Sequence, residues 1–311
     1  LKRMSGESGA GRFTDIHVPP LMFAEFLKMR KFGGGLDLNT GALELWQPDH
    51  EQMSALNVEF EAYVNVGGFP EYVNAGIPAA DLPQMIGSDI ATKAIARDLP
   101  SLYGIEDTQE LERLFVMLAV NTGQEISLEK LASNSRIAKA TITRYLTYLE
   151  AAYLVRMVRR VDQSGKSFRR DNFLKAYLYN PSFYAALYGA VKGEAKLGCL
   201  VETAVFAQHL YADERLHYAR WDGGRGEVDI VVMANALEVA SAVEVKWSDR
   251  PAQVEAELGN LLRFCKGTKL KSGTMTTRSV RKQVEVDGIK VNLVPCAIHC
   301  LHMNAKRLAS R

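Results

Sequence analysis

The run "GEVDIVVMANALEVASAVEVKW", residues 226 to 247, limits what this chain can fold into more than any other stretch. Two apolar, β-branched segments flank a short polar turn, which predicts an antiparallel strand pair. Period-two alternation puts Glu227 and Asp229 on one face of the first strand, and Glu244 and Lys246 on one face of its neighbour. A buried hairpin prefers Val or Ile at such positions. The charges belong either to a solvated edge with one cross-strand ion pair or to a site that handles a cation.

The flanking sequence favours a covered sheet. Before the pair, "LGCLVETAVFAQHLYA" reads as a helix whose apolar face, Leu197, Leu200, Val201, Ala204, Val205 and Leu210, also carries Glu202. Strands are predicted at about 216–221, 226–233 and 237–246, a helix across "QVEAELGNLLRFCK", and strands near 273–277 and 289–298. Helix, antiparallel strands, helix and strand make an α/β sandwich around a mixed sheet.

Further upstream, residues 12–32 read as a strand ending at Pro19-Pro20 and then a short helix, followed by a Gly-rich loop. Residues 51–65 and 85–98 have helical spacing and form a connector. "TQELERLFVMLAVNTG" predicts a helix from a Thr108 cap to Gly123, "SLEKLASNS" a second capped by Ser127, and "KATITRYLTYLEAAYLV" a third. With "YLVRMVRRV", the Gly turn "DQSGKSF" and "KAYLYN", they read as a winged helix-turn-helix or as a small helical packing module. Between Lys130 and Lys175 stand eleven Lys or Arg against three acids, in a chain of net charge +2. Such a stripe neutralises phosphates, or faces an acidic protein. The expected nucleic-acid contacts are Lys139, Thr141, Arg144, Arg159, Arg160, Lys166 and Arg169.

Composition narrows the setting. A chain of 311 residues, 47% apolar and 24% charged, is ordinary for a multidomain globular protein. No apolar run reaches the length of a membrane span, and the first residues lack a signal-peptide core, so the expectation is a cytoplasmic protein without a membrane partner. Four cysteines are too few for a disulfide scaffold.

Asp229 and Glu244 on adjacent strands suit a divalent ion held by carboxylate oxygens, which activates water and offsets charge on a phosphodiester transition state. The Val245 carbonyl is a further candidate ligand. Lys246 would hold the attacking water or the scissile phosphate, and Glu202 would add a carboxylate. The expected catalytic set is Asp229, Glu244, Lys246 and Glu202, with Asp229 and Glu244 on Mg²⁺ or Mn²⁺. "PCAIHCLH", read as a terminal strand, sends Cys296 and Cys300 to one face and His299 to the other, which argues against zinc. Trp221 with Arg220 reads as cover for the sheet edge or, as the alternative, as a stack for a nucleic-acid base.

Glu202, then Asp229, fourteen residues, and Glu244-Val245-Lys246 resemble the PD-(D/E)xK nuclease superfamily. More narrowly, "AGRFTDIHVPPLMFAEFL", "GGFPEYV", "ARDLPSLYGI", "LASNSRIAKATITRYLTYLEAAYLV", "RWDGGRGEVDIVV" and "AVEVKW" resemble the prokaryotic AAA-type ATPase family with a DUF4143 C-terminal region. The resemblance implies an α/β (α+β) chain in four parts. These are the end of an ATPase domain (1–35), a helical connector (36–106), a winged helix (107–180) and a restriction-endonuclease-like α/β domain (181–311). The family's phosphate-binding loop and magnesium strand would precede residue 1. "GESGAGRF" has Arg12 and Phe13 where that loop needs Lys and Ser/Thr, and "SGKSF" lacks the first glycine, so neither is read as a nucleotide site. Arg12 is read as the remnant of an ATPase arginine. ATP is expected only together with that N-terminal part.

Three functions follow as expectations: a metal-dependent DNase, a non-catalytic DNA- or protein-binding regulatory half of an ATPase, and an interaction module. DNA is the first expected partner, a protein or a second copy the other.

Overall fold

The computed structural model describes residues 19–33, 46–73, 81–168, 172–192, 194–210 and 214–309. The strand expected before Pro19, Arg12, the "GESGAGRF" loop and Arg169 lie outside them.

Helices α1 (Phe23–Met29), α2 (His50–Val66), α3 (Pro70–Val73) and α4 (Leu82–Ile86) open the described chain. Asp49 caps α2, accepting the Gln52 amide at 2.8 Å. The single helix expected over 85–98 is instead α4, two wide π-type turns (Gly87–Thr92 and Ala94–Asp98) and α5 (Leu99–Tyr103), closed by Gly104 at φ 63°.

α6 (Thr108–Val120) starts one residue earlier in its capping than expected, because the Asp107 carboxylate accepts the Glu110 amide at 2.9 Å. Strand β1 (Glu125–Ser127) leads into α7 (Leu128–Ser135), which Ser127 caps as the sequence predicts. Arg136 takes the left-handed conformation that turns the chain into α8 (Lys139–Ala151). Next come the hairpin β2 (Val155–Val161) and β3 (Phe173–Leu178), then α9 (Ser182–Tyr188) and α10 (Glu194–His209). The rest is β4 (Arg215–Trp221), β5 (Gly226–Met233), β6 (Val239–Glu244), α11 (Gly259–Thr268), β7 (Ser272–Thr277), β8 (Lys282–Val286), β9 (Ile289–Pro295) and α12 (Cys296–Ala309).

The α+β class expected from the sequence is the one observed, with one mixed nine-stranded sheet in the order β1-β3-β2-β4-β5-β6-β7-β9-β8. β2 runs parallel to β4, so the β2–β3 hairpin continues the sheet formed by β4 to β9. β2 serves three cores at once. Val155 enters the one built by α4 to α9, Val158 the one under α1, α2, α10 and α12, and Val161 the one under α11. The helix expected over 253–266 is confined to α11, and β8 is a strand beyond those expected.

The terminal strand expected through Ile298 is a correction: β9 stops at Pro295, and Cys296 opens α12. Proline cannot donate to a strand ladder and suits the start of a helix. On that helix Cys296 and Cys300 lie one turn apart and are buried, and the Cys296 thiol donates to the Lys246 carbonyl at 3.3 Å. Burial pushes the Cys296 thiol up to about 12 and the Cys300 thiol well above its ordinary value. Both groups stay protonated and serve as packing.

The turn between β2 and β3 packs on β6 and α11. Gly165 is buried with φ 78°, and a Cβ there would come 2.5 Å from Val239 Cγ2 on β6. Gly267 of α11 packs equally closely on the Gln163 carbonyl, 2.5 Å from the position of a Cβ. The turn is docked on β6 and α11.

Candidate functional site

The ladders place Asp229 with care. Ala219 pairs with Val228 and His217 with Val231, so Asp229 and Ile230 stand together opposite Tyr218 as a bulge. Ile230 fills the core under α10, and Asp229 reaches into the gap where β5 and β6 part beyond the Ile230–Val243 pair. There Asp229 Oδ2 accepts the Val245 amide at 2.9 Å. Val245 meets the carboxylate through its N–H, which the sequence reading had not foreseen.

All four residues of the expected catalytic set lie in this region, but its centre is a fifth. Lys175 of β3, only 1% exposed, places its ammonium 2.8 Å from Glu227 Oε1, 3.0 Å from Glu202 Oε1 and 3.2 Å from Asp229 Oδ1. Tyr177 donates to Glu202 Oε1 at 2.6 Å, and its ring stacks on Phe206 with centroids 3.9 Å apart. Gly123, at φ 74°, lets the end of α6 approach Glu202, where a Cβ would meet Oε1 at 3.2 Å.

The network extends across the sheet. Arg220 Nη1 lies 3.7 Å from Glu227 and 3.3 Å from Glu125, whose other oxygen accepts from Tyr218 at 2.9 Å. Arg160 Nη1 closes it, 3.7 Å from Glu125. Trp221 stacks near Phe264 in the α11 core, as expected of a residue that covers the sheet. At the other end Lys246 Nζ lies 2.8 Å from Glu244 Oε1, while Glu244 Oε2 is buried with no hydrogen-bond partner.

Burial sets the protonation behaviour. It raises the Glu202 carboxyl to about 7, with help from the charge of Asp229 and against the pull of Lys175. It raises Glu244 to about 8, again with Asp229 as the next cause and Lys246 opposing. Burial alone would lower the Lys175 ammonium, yet the surrounding groups Tyr177, Glu202, Asp229 and Glu227 hold it well above the ordinary lysine value.

The resemblance implies a divalent ion on Asp229 and Glu244. Both oxygens of Asp229 already accept hydrogen bonds, an ammonium stands among its carboxylate neighbours, and Glu244 Oε1 is taken by Lys246. Among the described residues, no group of three or more His, Cys, Asp or Glu is arranged to hold a metal ion. As folded, these residues do not fit the ion.

The basic residues expected to touch nucleic acid are dispersed. Arg144, Arg159 and Lys166 are exposed, and Thr141 is half-buried. Lys139 is tied to Glu129 and to Asn172 Oδ1, the latter at 3.2 Å. Arg160 is enclosed between Phe168 and Phe173, with ring centroids at 4.4 and 4.9 Å. Lys175, counted in the basic stripe, is not on the surface. A lysine in mid-strand between apolar neighbours, "FLKAYLY", was the available signal that it is buried and paired.

Fold and site together define a mixed α/β protein in which a buried lysine of β3 is ion-paired with carboxylates of α10 and β5. Residues 57–194 match a family described as a domain of unknown function (DUF8612). The chain is similar to an uncharacterized protein of Haemophilus influenzae, 26% identical over 298 residues, covering 93% of this chain and 66% of that protein. It is also similar to an uncharacterized protein of Methanocaldococcus jannaschii, 23% identical over 262 residues, 82% of this chain and 56% of that protein. It therefore spans less than two-thirds of the length of each.

Proposed function

We propose that this chain is the non-catalytic, nucleic-acid-binding part of a protein of the DUF4143-type ATPase family. It holds a duplex through backbone phosphates and leaves the bases unread. The observation that carries this reading is the division of its charges. Glu202, Glu227 and Asp229 are paired inside the fold with Lys175, and Glu244 with Lys246, whereas Arg144, Arg159 and Lys166 present their charges to solvent. Guanidinium and ammonium groups in water gain affinity for DNA by releasing its counterions. The Thr143 and Thr147 hydroxyls, by contrast, donate to carbonyls one turn back on α8 and are spent on the helix. We assign ATP hydrolysis to no residue of this chain, and phosphodiester cleavage to none of its carboxylates.

The test is fluorescence anisotropy of a labelled duplex across a potassium chloride series, with a cleavage assay in Mg²⁺ and Mn²⁺ beside it. Binding that weakens steeply with salt, and no cleavage, is the expected result. Salt-independent binding, or none, would remove the proposal. Metal-dependent nicking abolished by Asp229→Ala would replace it with the nuclease reading.

A further inference from the structure

We infer that the carboxylates gathered by α10 and β5 form a cation site whose cation is supplied by the chain itself, the Lys175 ammonium, and that a divalent metal ion is its competitor. This goes beyond nucleic-acid binding and does not depend on it. A lysine ammonium has three donors and no acceptor. Here three carboxylates, Glu202, Glu227 and Asp229, stand at 2.8 to 3.2 Å from Nζ. The lysine comes from β3 and the acids from α10 and β5, elements of different parts of the chain.

A buried ammonium is costly to desolvate, so the acids around Lys175 are what make its burial tolerable. The converse also holds. Removing the ammonium leaves these three acids buried or half-buried, two of them, Asp229 and Glu202, close enough for their charges to raise the carboxyl of Glu244, itself 5% exposed and with Oε2 free of any hydrogen bond. Oxygen-only donors and an excess of negative charge are what a hard divalent ion takes. The two cations exclude each other, because both would sit against Asp229 Oδ1 and repel.

Isothermal titration with Mn²⁺, and thermal unfolding with and without it, test this on the wild-type chain, Asp229→Asn, Lys175→Arg, Lys175→Met and Lys175→Met/Asp229→Asn. Wild type and Lys175→Arg are expected to take up no Mn²⁺ in this site and to melt at the same temperature with or without it. Lys175→Met is expected to melt lower in the absence of metal, to regain stability as Mn²⁺ is added, and to lose that response in the double variant. If Lys175→Met does not fold alone, its refolding yield with and without Mn²⁺ reads the same property. Mn²⁺ uptake by the wild type that Asp229→Asn abolishes overturns the inference. So does a Lys175→Met protein whose melting or refolding ignores Mn²⁺. Loss of DNA binding with these results intact would fail only the function proposed above.

Discussion

Lys175 Nζ lies 3.2 Å from Asp229 Oδ1, joining β3 to β5 through an ion pair that is almost wholly buried. Breaking one side of such a pair leaves its partner charged and dry, which typically costs about 3–5 kcal/mol. We expect Lys175→Met to lose stability of that order in urea unfolding. Pairing it with Asp229→Asn should recover part of the loss. A Lys175→Met midpoint equal to wild type would show that the pair carries no stability.

The raised Glu244 carboxyl predicts a pH dependence of definite sign. Its ordinary value is 4.5 and its folded value about 8, so between these the folded chain keeps a proton that the unfolded chain gives up. Stability is therefore lost as pH rises through that window, by up to about 1.36 kcal/mol per unit for one group. Glu202 adds the same sign up to about 7. Urea midpoints from pH 5 to 9 should fall less steeply in Glu244→Gln than in wild type. Parallel curves would mean that Glu244 is ionised throughout.

Much of the fold was legible because its signals are local. The Ser127 cap and the apolar face of α10 each depend on a few neighbouring residues. The C-terminal helix was misread because Cys, His and Ile suit a strand as readily as a helix, and only Pro295 marked the change. For the site, the acids were legible as a D…ExK spacing. Their cation was not. Lys175 meets Asp229 only after β2 pairs with β4, a contact that no periodicity announces. The bulge at Asp229 and Ile230 was equally hidden, since strict alternation puts them on opposite faces.

Gly165 offers a test of the docked turn. Its φ of 78° is unfavourable for any side chain, and a Cβ would strike Val239 at 2.5 Å. Gly165→Ala should cost more than about 1 kcal/mol in urea unfolding. It should also make the turn cleavable by a protease at concentrations that leave wild type intact. An unchanged digestion pattern would show that the turn does not need its seat on β6.

Arg159 and Arg160 are adjacent in sequence and face different tasks. Arg159 is exposed, whereas the Arg160 guanidinium lies between two phenylalanine rings and close to Glu125. Each stacked aromatic contact of this kind is worth about 0.5–1 kcal/mol where partly solvated. Arg160→Ala should thus lower stability by about 1–2 kcal/mol and leave the salt dependence of DNA binding in place. Arg159→Ala should leave the melting temperature alone and reduce the slope of log K against log salt by about 1, the loss of one phosphate contact. Measuring both variants by thermal unfolding and by anisotropy separates the two roles. If Arg160→Ala alone changed the salt slope, the phosphate-binding surface would lie on the enclosed side of β2, and the division of charges behind the proposed function would fail.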